Sequence, residues 1–294
     1  MQFFSYLING ISLGSVYALI ALGYTMVYGI AKMLNFAHGD VIMIGSYVVY
    51  FAFGASGLNP VLSIVLSMIV CTILGVVIER LAYRPLREAP SLAVLITAIG
   101  VSYLLQQVAE LSWSSNPKSF TSVVSGMKPV SLVGGQLTIS AETIVTIVAG
   151  VVIMVVLMWF VNYTPAGHAM LAVSEDRGAA QLMGVNVNAT IPLTFAIGSA
   201  LAAVAGALLC SSYPTLQPTT GAMPGIKAFV AAVFGGIGSI PGAFLGGILL
   251  GIIENLSKAY ISTQLSDAIV FVVLIVVLIV KPTGLLGKKV NVKV

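Results

Sequence analysis

Between Met1 and Ala31 the chain carries no charged residue, and Leu7 to Ile30 is long enough, at helical rise, to cross the hydrocarbon core of a bilayer. The same pattern recurs along the chain. Charged residues make up 7% of the sequence and apolar residues 59%, with a mean hydropathy of +1.07, so the chain cannot be a water-soluble domain. The expected fold is an all-α polytopic bundle of about eight to nine transmembrane helices with broken or re-entrant segments. A single transmembrane domain over residues 1–294 is expected. Met1 to Ile30 lacks the basic start of a signal peptide and its apolar run is too long for one, so it is expected to stay as the first span.

Charges, prolines or polar clusters bound clear spans at Leu7 to Ile30, Pro60 to Ile78, Ser91 to Ala109, Ala141 to Val161 and Ile191 to Leu209. Val41 to Phe53 and Ala228 to Phe234 are shorter. The first follows Asn35, His38 and Asp40, and the second runs into the glycine-rich stretch Gly235 to Gly242, which a helix crosses badly. Apolar sequence resumes at Ala243 to Ile253 and Ala268 to Val280. Between spans, Ser112 to Ser140 is a long loop with Pro117, Pro129, Gly134 and Gly135, and with a β-like run at Phe120 to Val124.

Lysine and arginine divide unevenly between alternate loops. Lys32, Arg80, Arg84, Arg87, Arg177, Lys281, Lys288, Lys289 and Lys293 make nine in one set, against four, Lys118, Lys128, Lys227 and Lys258, in the other. The positive-inside rule places the first set in the cytoplasm, with the N-terminus outside and the C-terminus inside. The number of crossings is then odd, about nine if both short segments beside Gly236 cross. The net charge of +4 sits at span ends, with no basic cluster interleaved with aromatics, so no nucleic-acid partner is expected.

No chemistry of the chain's own is expected. There is no phosphate-cradling G-x-x-x-x-G-K-[ST], no H-E-x-x-H and no Cys/His metal spacing, and His38 and His168 are the two histidines. Catalytic residues and metal ligands are therefore both expected to be none. Cys71 and Cys210 lie in apolar runs and read as small buried hydrophobes. Asp40, Glu110, Glu142 and Asp267 lie at span boundaries, which argues against an ion-coupled carrier with a charged midplane site. Glu254 is deeper, with Lys258 four residues on, in the order that favours a helical ion pair. Lys227 reads either as a group at the outer mouth or as a snorkelling lysine.

Non-helical backbone at membrane depth survives where protein or a water-filled cavity satisfies it. This marks Asn35, His38, Gly39 and Asp40, and Gly236, Gly238 and Ser239, as lining a translocation path or its gate, in two corresponding positions of a repeat. The alternative for the first is an ordinary loop. For the second it is close glycine packing around Gly242, Gly246 and Gly247, within or between chains. The internal loop, residues 163–190, carries Glu175, Asp176, Arg177, Gly178, Ala179 and Ala180 and ends at Gly184. It reads as short helices broken near Gly178, with Ser174 as the cap of the second. Small residues and charge on the positive-inside face suit contact with a soluble motor.

Ala179-Ala180-x-x-x-Gly184 resembles the core of the EAA loop of bacterial ABC importer permeases. Gly178 stands where the first glutamate is usual, and Ile191-Pro192 follows early. The stretch Ala172-Val173-Ser174-Glu175-Asp176-Arg177-x-Ala179-Ala180-x-x-Met183-Gly184-Val185-Asn186 is similar to the loop of the branched-chain amino acid permeases. Gly10-Ile11-x-x-Gly14-x-x-Tyr17-Ala18-Leu19-x-Ala21-Leu22-Gly23, Asn35-Phe36-Ala37-His38-Gly39-Asp40 and Gly235-Gly236-Ile237-Gly238-Ser239-x-Pro241-Gly242-Ala243 resemble the LivH-type subunit of that family over almost the whole chain.

The resemblance implies uptake of leucine, isoleucine and valine through the inner membrane by a machine of this subunit, a paralogous permease subunit, two ATP-binding subunits and a periplasmic substrate-binding protein. ATP is bound by the partners, so this chain needs no cofactor, and membrane lipid surrounds it. Urea and short-amide importers share the family, and an ion-coupled secondary carrier is the alternative from another class.

Overall fold

The computed structural model describes residues 2–132 and 137–287; Gly134, Gly135, Lys288, Lys289 and Lys293, used in the sequence reading, lie outside them. The described residues form an all-α polytopic membrane protein. In chain order the helices are α1 (Gln2–Ala31), α2 (His38–Val49), α3 (Pro60–Ile78), α4 (Ser91–Trp113), α5 (Ala141–Tyr163), α6 (Pro165–Glu175), α7 (Arg177–Leu182), α8 (Val187–Ser212), α9 (Ala222–Gly235), α10 (Ile240–Tyr260) and α11 (Ser266–Val280). A π-helical stretch at Tyr50–Ala55 extends α2, and another at Glu79–Tyr83 extends α3.

Helix starts follow local chemistry. Asn59 accepts from the Val61 amide just before Pro60, and Ser140, Thr164, Asn186 and Ser239 cap α5, α6, α8 and α10 through side-chain oxygens. Among the described residues, six helices are long and apolar enough to cross a membrane, while α9 and α11 are shorter apolar helices. Of the most apolar eighteen residues of α1, 89% are buried, against 17% for α4 and 22% for α5. The axis of the bundle is therefore α1, and α4 and α5 offer their apolar sides to lipid.

Lipid gives helices no hydrophobic drive to associate, so tight packing of small residues has to supply it. A Cβ added at Gly14 would sit 2.6 Å from the Ile248 carbonyl oxygen, one at Gly251 would fall on the backbone of Gly14, and one at Gly247 on that of Ala18. Gly246 lies equally close to Ala231 and Gly235, and Gly242 to Gly235. The Gly242–Gly247 seam is thus filled within the chain, by α1 and α9, and is not left for a second bundle.

The packing partners reveal two related halves. The helix α1 packs on α8, α9 and α10, while α8 packs on α1, α2 and α3; α2 meets α4 as α9 meets α11. Exchanging α1 with α8, α2 with α9, α3 with α10 and α4 with α11 maps these pairings onto one another. The counterpart of the segment before α2 is therefore the segment before α9, near Gly221. Gly235 to Gly242, which the sequence suggested, instead links α9 to α10. Glycine content misled the comparison because helix order, not composition, sets the correspondence.

At one end of the bundle, β1 (Lys118–Ser119) pairs antiparallel with β4 (Thr215–Leu216), and β2 (Val130–Leu132) with β3 (Leu137–Ile139). Phe120 to Val124 is not a strand. Its Val123 amide donates to Ser211 Oγ at 3.2 Å and its Phe120 amide to the Pro214 carbonyl, so the end of α8 satisfies backbone that a ladder would otherwise pair.

Candidate functional site

After Ala31 the backbone reverses through Lys32, at φ 53°, and turns back into the bundle. His38 lies against Gly23 and Tyr24 of α1, the ring centroids of His38 and Tyr24 being 4.6 Å apart. Gly23 is eight residues, about 12 Å of helix rise, before the end of α1. The segment Asn35 to Asp40 is therefore re-entrant and not an ordinary loop. Asn35, His38, Gly39 and Asp40 are all buried. Asn35 Oδ1 accepts from Tyr83 Oη at 2.9 Å, and Asp40 Oδ1 accepts from Gln106 Nε2 at 2.8 Å. His38 Nε2 is buried without a hydrogen-bond partner.

The N-terminus of α2 meets the N-terminus of α9. A Cβ at Gly39 would stand 2.6 Å from the Gly221 carbonyl oxygen, one at Gly225 2.9 Å from Gly39 Cα, and one at Gly221 would fall on the Gly39 carbonyl. Two half-helices thus abut inside the bundle, both with amide ends inward, and Asp40 in the first turn of α2 complements that field.

The second glycine-rich segment lies lower on α1. Gly238 backs onto Gly29, six residues or about 9 Å further along α1 than Gly23. Gly236 and Gly238 hold φ of 108° and 89°, which glycine alone adopts readily, and Ser239 Oγ accepts from the Gly242 amide at 3.2 Å. Leu285 and Leu286 donate to the Phe234 and Gly235 carbonyls, tying residues 284–287 over this break. Both broken segments therefore contact α1, at neighbouring depths.

The helices α6 and α7 lie at the end of α1 that carries Ala31. Asp176, not Ser174, caps α7: its carboxylate accepts from the Ala179 amide at 2.9 Å, while Ser174 Oγ donates to the Leu171 carbonyl inside α6. The break between the two helices falls at Asp176 rather than Gly178, because Asp176 is extended, with φ −154° and ψ 116°. Gly184, at φ 88°, closes the stretch as expected. Glu175, Asp176, Gly178 and Ala179 are exposed, whereas Ala180 is buried in the chain's own core.

Leu182 and Met183 are 90% and 85% exposed, a bare apolar pair beside charged residues. The sequence placed both in a short helix, and Met183 in the stretch that resembles the permease loop, without marking either as exposed. Arg177 reaches inward, donating to the Ala31 carbonyl and, at 3.4 Å, to the Arg87 carbonyl. Burial, with Arg87 nearby, holds its guanidinium below the usual arginine range. Arg87 pairs with the buried carboxylate of Glu79 and donates to Asn188 Oδ1 at 2.7 Å.

Toward the opposite end, Glu254 Oε1 accepts from Lys258 at 2.6 Å, the pair expected from their spacing. It also accepts from Lys227 at 2.8 Å, Lys227 pairs with Asp267 at 2.7 Å, and Tyr17 Oη donates to Glu254 Oε2 at 2.9 Å. Lys227 is thus a buried ion-pair partner, neither at a mouth nor snorkelling. Asp40, placed at a boundary by the sequence, is inside the bundle as well. With Glu79, Lys227 and Glu254 also buried, charge placement alone does not exclude a carrier.

Residues 6–278 match the family described as branched-chain amino acid transport system / permease component. The chain belongs to that family. It is 45% identical to the high-affinity branched-chain amino acid transport system permease protein LivH of Salmonella typhimurium, over 98% of this chain and 96% of that one. It is 44% identical to the corresponding BraD protein of Pseudomonas aeruginosa, over 96% and 95%. A probable LivH of Methanocaldococcus jannaschii is 31% identical over 83% of this chain and 78% of its own length. In this permease, then, the re-entrant segment, the α9–α10 break and the exposed α7 end belong to a fold whose relatives are transport components. Membership in this family, rather than charge placement, separates it from ion-coupled carriers.

Proposed function

We propose that this chain is the membrane-spanning permease subunit of an ATP-binding-cassette importer for leucine, isoleucine and valine, forming half of the translocation path. The observation that carries the reading is similarity along nearly the whole chain to permeases named for high-affinity branched-chain amino acid transport. A paralogous permease completes the path, two ATP-binding subunits drive it and a periplasmic binding protein delivers substrate. ATP stays on the partners, and the chain is neither an enzyme nor a nucleic-acid binder. It resides in the bacterial inner membrane, N-terminus in the periplasm and C-terminus in the cytoplasm, in keeping with the basic residues around α6 and α7.

The coupling surface is Glu175 to Gly184. Exposed Leu182 and Met183 insert into an ATP-binding subunit, with Glu175 and Asp176 at the rim. Motion of α7 is transmitted by Arg177, whose guanidinium grips the Ala31 carbonyl at the point where α1 gives way to the re-entrant segment. Pulling there shifts Asn35, His38, Gly39 and Asp40 against the start of α9. The gate opens where the two half-helices abut, and Gly236, Gly238 and Ser239 let the other end of α9 follow.

Competition tests the substrate. Uptake of labelled leucine by the assembled complex should fall when valine or isoleucine is added in excess, and should be unchanged by urea or acetamide. Inhibition by the amides alone would overturn the assignment.

A further inference from the structure

We infer that a cavity at the end of the bundle away from Arg177 is a docking site for a small aliphatic molecule bearing an ammonium group, which under the proposed function is the incoming amino acid. The cavity measures about 510 Å³, within the size range of small-molecule sites. It opens between the first half of α1, the start of α5, the end of α8 and α10.

Its chemistry is selective. Asn9, Ser12, Leu13 and Val16, one face of α1, form a wall that is polar toward the helix start and aliphatic further in. Opposite lies Glu142, the one full charge among the described lining residues. Ser122 Oγ donates to its Oε1 at 3.0 Å and so fixes the carboxylate at the wall. A lone carboxylate with no lining cation repels an anion and attracts an ammonium group. Hydroxyls and amides make up the rest of the polar lining. Thr143 Oγ1 donates to Ser12 Oγ at 3.0 Å.

An ammonium group at Glu142 and a short aliphatic chain over Leu13 and Val16 are the two features of a free aliphatic amino acid that this lining matches. None of these residues belongs to the re-entrant segment or the α7 surface, so this is a separate station, at the opposite end from the coupling contacts.

Thiol protection in the complete complex tests it. With Cys71 and Cys210 replaced by alanine, Asn9→Cys places a thiol at the exposed rim. Leucine well above its dissociation constant should slow labelling by a water-soluble thiol reagent about tenfold. The same carbon skeleton without nitrogen, 4-methylpentanoate, should not. Adding Glu142→Gln should abolish protection, and Ser122→Ala, which releases the Glu142 carboxylate from the wall, should weaken it where Glu142→Gln fails to assemble. No protection by leucine, equal protection by 4-methylpentanoate, or protection indifferent to both substitutions would overturn the site. ATP-driven leucine uptake is read separately, in the complex that keeps Asn9. Uptake without protection sinks the cavity alone, and absence of leucine uptake sinks the proposed function.

Discussion

Replacing Glu254 with leucine should lower the stability of the purified permease by about 3–5 kcal/mol, the usual consequence of removing one partner from a buried ion pair. Glu254 is 1% exposed and Lys227 6%. Without the glutamate, Lys227 keeps only the half-exposed Asp267, and Tyr17 Oη loses its acceptor. Lys258 is more exposed and re-solvates easily, so its share of the loss is small. Thermal unfolding in detergent measures the effect. The double variant Glu254→Leu with Lys227→Met should recover part of it, since two apolar groups replace a buried charge and its orphan. An unchanged midpoint for Glu254→Leu would contradict the buried network.

Gly221→Ala should remove uptake while leaving the chain in the membrane. The added methyl would occupy the place of the Gly39 carbonyl, and the obstructing atoms are backbone, not the end of a flexible side chain. The start of α9 must move off α2, and overpacking of this kind costs about 1–3 kcal/mol, less than is needed to unfold the bundle. The loss therefore falls on the abutment between the half-helices, where the proposed gate lies. Gly100→Ala is the control, because a Cβ there meets nothing within 4 Å. Normal leucine uptake by Gly221→Ala would place the gate elsewhere.

The sequence made some helix starts legible, because Asn59-Pro60 and Ser140-Ala141 announce themselves through local chemistry. Where two capping residues compete, as Ser174 and Asp176 do, the winner depends on which one the chain extends, and spacing alone does not decide that. Burial was less legible for the same reason. Asp40 and Lys227 stand near the ends of short apolar runs, and such runs look alike whether they start at the membrane surface or inside a bundle. Only the return of the chain after Lys32 and the fit of Gly39 on Gly221 place Asp40 beside Gln106. Glu79 was not singled out at all, since three nearby arginines made its surroundings read as a solvated loop. The exposed Leu182–Met183 pair was hidden by its helix-forming composition, while Ala180, part of the motif that carries the resemblance, faces inward.

We propose that an external ATPase drives this permease through α7. The decisive experiment follows labelled leucine uptake into proteoliposomes holding the permeases, ATP-binding subunits and binding protein, beside the same assembly carrying Leu182→Glu and Met183→Glu. Uptake in the unaltered complex should require ATP and survive a protonophore. The variant should lose uptake, with the ATP-binding subunits no longer co-purifying and the permease still folded. Uptake that follows the proton gradient and persists in the variant would contradict it.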